Sequence, residues 1–103
     1  MVQLLGRVDE TLQQIATALE GFVEQHPDSH ITLYRYNPGA VRVRIVSSRF
    51  QGVSRFERQK IVLDSIADMP MEIRGDISIM LCLAPGETSM MDIEFEEPVP
   101  TDM

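Results

Sequence analysis

The sequence predicts an α+β domain, a two-layer sandwich with helices on one face of a sheet, and three patterns carry that expectation. Leu5, Val8, Leu12, Ile15, Leu19 and Phe22 recur at alternating spacings of three and four, the stripe of an amphipathic helix. Residues 31–36 and 41–46 alternate with period two on either side of a Pro-Gly pair, the pattern of a hairpin. A helix-start signal at Ser54 and a third alternating run from Ile77 complete an α-β-β-α-β order. With 103 residues there is room for one core, so residues 1–97 read as a single domain and 98–103 as a flexible tail.

In the first helix Gln13, Gln14, Thr17 and Glu20 fall opposite the apolar stripe. The repeat lasts under three heptads, so a helix lying on a sheet is the better reading than a coiled coil. His26-Pro27 ends it, because the residue before proline is pushed out of the helical region. In the hairpin, Ile31, Leu33, Val41, Val43 and Ile45 point inward, and Tyr34, Tyr36, Arg42 and Arg44 point outward. The turn Asn37-Pro38-Gly39-Ala40 presets φ at Pro38 and asks for a positive φ at Gly39.

Ser54-Arg55-Phe56-Glu57 reads as a capping box, the serine oxygen accepting from a backbone N–H one turn in. Val62, Ile66 and Met69 mark the buried stripe of this second helix, and Pro70 follows its end. Ile77, Ile79, Leu81 and Leu83 form the third strand, and Pro85-Gly86 turns the chain. Met91, Ile93 and Phe95 alternate with acids, which suggests an extra C-terminal strand folding back on the third.

The net charge of −7 is unevenly spread. Residues 1–34 carry five acids and Arg7, a balance of −4. Arg35, Arg42, Arg44, Arg49, Arg55, Arg58 and Lys60 face Glu57 alone between 35 and 60, a balance of +6. Ten acids face Arg74 from 61 onward, a balance of −9. Such a charge dipole speaks to partners and association rates, not to fold. The first seven residues do not resemble a secretory leader, no apolar run is long enough to span a bilayer, and Cys82 is the single cysteine. The expectation is a cytoplasmic protein with no membrane partner.

From Val43 to Val62 the chain resembles the core of the BolA family. That family runs an apolar strand into Val-Ser-x-x-Phe-x-Gly, matched here by Val46, Ser47, Phe50 and Gly52. A helix then opens with Arg, His or Gln, Arg or Lys, an apolar residue and Val, matched by Arg58, Gln59, Lys60, Ile61 and Val62. Element order extends the resemblance over residues 8–85. It implies a fold like a type II KH domain and a non-enzymatic interaction module. The implied partner is a monothiol glutaredoxin, in iron–sulfur or iron homeostasis, with a shared [2Fe–2S] cluster. The family's histidine ligand near the start of the last core strand falls on Ile77 here, and the turn at 37–40 holds no His or Cys for a second ligand. An isoleucine has no lone pair for iron. The expectation is therefore the family's fold without its cluster site: no cofactor bound by the chain alone, and a shared cluster disfavoured.

Arg49, Phe50, Arg55, Arg58 and Lys60 are the expected partner-binding residues. Arg58 has a family counterpart in the glutaredoxin-facing surface, yet a clasp on nearby acids or on the hairpin fits it equally. The alternative function is binding of single-stranded nucleic acid through Tyr34, Tyr36, Arg42 and Arg44, rings and cations that suit bases and phosphates. Against it stand a sequence pI near 4.6 and the lack of a Gly-x-x-Gly loop, since Gly52 is followed by Val53-Ser54-Arg55. Homodimerisation through a strand edge or the first helix is a third possibility. Cys82 is a weak metal candidate, because in an unbroken strand it points away from Ile77. His26 and His30 have a metal-like spacing, but Pro27 lies between them and no third ligand is near. Such an acidic run is usually a solvated face; beyond that, the stretch 92–97 suits two roles, a cover for the basic region or an added strand. No nucleophile–base pairing or phosphate-cradling loop is readable, so catalysis is not expected.

Overall fold

A computed structural model describes residues 1–92 and residue 95. Its elements are β1 (Val2–Leu5), α1 (Glu10–Gln25), β2 (His30–Asn37), β3 (Ala40–Val46), a 3-10 turn (Ser48–Phe50), α2 (Arg55–Ser65), α3 (Met71–Arg74) and β4 (Ile77–Leu83). The four strands form one mixed sheet in the order β1-β2-β3-β4. β1 runs parallel to β2, β2 antiparallel to β3, and β3 parallel to β4. Two strand-helix-strand units are thus joined by the central hairpin. The helices pack on one sheet face, as the α+β sandwich requires: Leu12, Ile15, Leu19 and Phe22 of α1 and Val62 of α2 share a core with Ile31, Leu33, Val41, Val43 and Ile45.

The first strand departs from the expected order. Leu5 belongs to β1, paired with Tyr34, and not to the helix. Gly6 turns the chain at φ 69°, a left-handed conformation that suits glycine, and Val8 is left 41% exposed. Asp9 then caps α1, its carboxylate accepting from Leu12 N at 2.8 Å. The period of Leu5 and Val8 happens to continue that of the helix, which hides both the turn and the cap.

The central hairpin has the expected inward set, each residue at most 1% exposed. Its turn differs: Gly39 does not take a positive φ, which among the described glycines only Gly6, Gly52 and Gly86 do. The Asn37 side chain instead accepts from Gly39 N at 2.9 Å, closing the turn locally. α2 begins at Arg55, with Ser54 Oγ accepting from Glu57 N at 3.3 Å, but ends at Ser65, before the stripe does. Met69 is buried all the same, carried in by the turn that leads through Pro70 to α3.

β4 contains an irregularity that strict alternation does not foresee. Val41 pairs with Ile77 and Arg42 with Ile79, so Ser78 is an extra residue on the β4 side. Ile77, Met80 and Cys82 consequently all turn toward the helices, and Ile79 and Leu81 join Arg42 and Arg44 on the other face. The expected separation of Ile77 and Cys82 onto opposite faces is therefore incorrect. The expected C-terminal strand does not form at the described residues: Met91 lies in a turn, and Asp92 and Phe95 are helical. Ile93, Glu94, Glu96, Glu97 and the expected tail 98–103 lie outside the described residues. No helix among the described residues is long and apolar enough to cross a membrane.

Candidate functional site

The motif after β3 builds a turn in which nearly every matched residue has a packing task. Ser47 is fully buried, and its Oγ accepts from Ser29 Oγ at 2.9 Å and from Arg49 N at 3.2 Å. Asp28 accepts from Ser48 N at 3.0 Å, and the Ser48 side chain, followed by this backbone contact, holds its carboxyl below the usual carboxylate range. Phe50 is fully buried and stacks on Phe22 of α1 with centroids 5.9 Å apart. Gly52 takes φ 72°, which lets the chain reverse into the Ser54 cap. Phe50 thus sits in the core, beneath the surface it was expected to help form.

Arg58 is equally interior, with a side chain 9% exposed. Its Nε donates to Val53 O at 2.8 Å, and Nη1 donates to Cys82 O at 3.1 Å. The guanidinium also grips Glu87 with two hydrogen bonds, at 2.5 and 2.9 Å. Held by Arg58 and by Ala84 N, the Glu87 carboxyl is lowered to about 2. Of the two clasps considered from sequence, neither forms; the acid that Arg58 takes is 29 residues further along the chain. Gln59 donates to Met80 O beside it. Arg58 and Gln59 together cap two carbonyls on the outer edge of β4, which discourages another strand from pairing there.

Three of the five expected partner-binding residues, Arg49, Arg55 and Lys60, are exposed. Of these, Arg55 lines a groove of about 1050 Å³ between the start of α2 and the chain from Met80 to Met90. Two residues that sequence reasoning passed over stand here. Phe56 is 75% exposed in the first turn of α2, and Met90 is 98% exposed on the groove's rim. Leu63 is 41% exposed and extends the line of Phe56 and Lys60 down the same helix face. The signal was present in the capping box, which fixes where α2 starts and so which of its residues look outward. A second hollow, of about 580 Å³, lies between α1 and residues 65–70, with Glu10, Gln14 and Asp68 around Ala18, Ile66 and Met69.

The outer sheet face is more occupied than its sequence suggests. Tyr34 is 4% exposed, with the ring of Phe95 set edge-on to it at 5.4 Å. Arg44 pairs with Asp92 at 3.0 Å and lies 5.4 Å from the Phe95 centroid. Arg42 stacks on Tyr36 at 3.6 Å and donates to Tyr34 OH at 3.2 Å. The four residues expected to receive nucleic acid do share this face, but Tyr34 is covered and Arg44 is ion-paired. Of the two roles read for the acidic stretch, Asp92 and Phe95 take that of a cover.

The remaining candidates fall apart as a metal set. Cys82 is buried, and burial pushes its thiol up to about 12, the reverse of what a thiolate ligand needs. His26 closes α1 against the Phe22 ring at 4.8 Å, and His30 is exposed at the start of β2. Ile77 stands half-buried against the core. No group of three His, Cys, Asp or Glu able to hold a metal forms among the described residues.

Arg35 of β2 ties the start of α1, the hairpin turn and the start of β4 together. It donates to Asp9 at 2.9 and 3.2 Å, to Asp76 at 3.3 Å and to Pro38 O at 3.2 Å. Asp9 is held below the ordinary carboxylate range chiefly by the Arg35 hydrogen bond.

No protein-family model and no curated protein matches the chain.

Proposed function

We propose that the chain is a non-enzymatic interaction module of BolA-like type that receives an acidic partner on the outward face of α2 and the groove beside it. The observation that carries this reading is Phe56, a ring 75% exposed to water between the cations Arg55 and Lys60. An exposed aromatic ring beside arginine is the residue combination that dominates protein interfaces once water is excluded. Met90 across the groove supplies a flexible apolar contact for the same partner. Arg55 and Lys60 bring part of the central basic stretch to this surface, which favours fast capture of an acidic patch.

The partner that the resemblance suggests is a monothiol glutaredoxin. This chain brings no cluster ligand to it, so recognition is a surface event, and any [2Fe–2S] cluster stays liganded by the partner side. The test is an anaerobic titration of a cluster-loaded monothiol glutaredoxin, followed by calorimetry and by visible circular dichroism. Binding heat with an unchanged cluster spectrum is the expected result. The double variant R55E/K60E and, separately, F56A should weaken binding at least tenfold. A saturable spectral change would overturn the ligand-free part of the reading, and absence of heat would remove the glutaredoxin. Unchanged affinity in the variants would remove the α2 surface.

A further inference from the structure

The geometry points to a docking site on the outer sheet face for an acidic peptide segment with an aromatic residue three positions after the acid. Residues 92 and 95 of this chain hold that site as a built-in competitor.

Asp92 and Phe95, three apart and each helical, present their side chains to the same face of the sheet. The acid meets Arg44 Nη1 at 3.0 Å, and the ring meets the Tyr34 ring at 5.4 Å with planes at 78°. Arg44 serves both, since its guanidinium also lies 5.4 Å from the Phe95 centroid. Ser89 N donates to the other Asp92 oxygen at 2.9 Å and fixes the acid's approach. The site therefore reads two features at a set spacing, a carboxylate by charge and a ring by edge-to-face contact. Charge complementarity points the same way, because a segment from the −9 portion of the chain lies on the +6 portion.

The ion pair is partly exposed, with side chains 18% and 23% exposed, whereas the Phe95 ring is 1% exposed, so exchange of the segment uncovers Tyr34 but does not open the helix-facing core. Beyond it, Arg42 stacked on the half-exposed Tyr36 continues the face as a ledge of the same chemistry. This site lies on the opposite side of the sheet from the helices and does not rest on the α2 surface.

The test uses the full-length chain and a fluorescein-labelled peptide with the sequence of residues 89–97. The D92N/F95A variant should bind the peptide at least tenfold more tightly than the unaltered chain does. That binding should weaken as salt rises and be lost when R44E is added. D92N alone, which keeps the buried ring in place, should give a smaller gain in the same direction, and it answers the question even if the double variant unfolds. R55E/K60E should leave peptide binding within twofold. Equal binding by D92N and the unaltered chain, or binding by neither variant, would overturn the proposal and make the 92–95 contact a plain part of the fold. Binding of a ten-residue oligothymidylate without binding of the peptide would overturn it in favour of nucleic acid.

Discussion

The two faces of the sheet are built on different principles. The face toward the helices is closed mainly by apolar contact: Val41, Val43 and Ile45 share a core with α1, α2 and Phe50, and each is fully buried. The outer face mixes Tyr34, Arg42 and Arg44 with Ile79 and Leu81, and its described cover is one ring and one acid. A core of the first kind tolerates no exchange, because it is close-packed. A cover of the second kind is held by few groups and can be replaced by others of like chemistry. The difference separates the part of the molecule that sets the fold from the parts that remain available to a partner.

The sharpest way to break this comparison is to delete one ring on each face. Phe50→Ala should cost about 3–5 kcal/mol, the range for truncating a large side chain in a packed core. Phe95→Ala should cost less, about 1.5–3 kcal/mol for the burial of the ring alone, because Phe95, although 1% exposed, lies outside the helix-facing core cluster. Urea unfolding of both variants measures this, and equal losses would mean that the outer face is a second core. Gly52→Ala comes next, at about 1–2 kcal/mol, since alanine at φ 72° sits in the left-handed region. Its loss should appear in stability and not in affinity for an α2-directed partner.

The smallest expected effect concerns the clasp between α2 and the chain after β4. Glu87 is lowered from its ordinary 4.5 to about 2 in the folded chain. A depressed carboxylate contributes stability that is fully present above about 4.5 and is lost as the pH falls toward about 2. Glu87→Gln should therefore flatten the acid limb of the stability profile within that window and leave the contributions of Asp9 and Asp28, whose carboxyls are also lowered. Urea midpoints taken across the window check it, and an unchanged limb would show that Arg58 does not rely on Glu87.

Sequence periodicity reads the inner face well because a single physical requirement, burial against helices, selects every residue there. Leu12, Ile15, Leu19 and Phe22 follow from it, as do the inward strand positions and the Ser54 cap. It fails where two requirements overlap in one stretch. Leu5 and Val8 keep helical spacing while the chain is really in β1 and a turn, and Asp9, a strong cap, is passed over. Ser78 fails differently: one inserted residue moves Cys82 to the other face, and no residue type announces it. The candidate site is the least legible part, because it is assembled by contacts distant along the chain. Arg58 finds Glu87 at a separation of 29, and Arg44 finds Asp92 at 48. The resemblance to BolA proteins is carried largely by Ser47, Phe50, Gly52 and Val62, which shape and pack the chain. It therefore speaks more directly to architecture than to chemistry.

The inserted Ser78 has one more consequence, and it lies in the chain's response to oxidants. By rotating Cys82 inward, it places the lone sulfur where neither peroxide nor a second thiol meets a thiolate. The folded chain is thereby insulated from disulfide crosslinking between copies. The same burial makes Cys82 a natural reporter: the rate at which it is alkylated follows how often the β4 edge opens beneath the Arg58 and Gln59 caps.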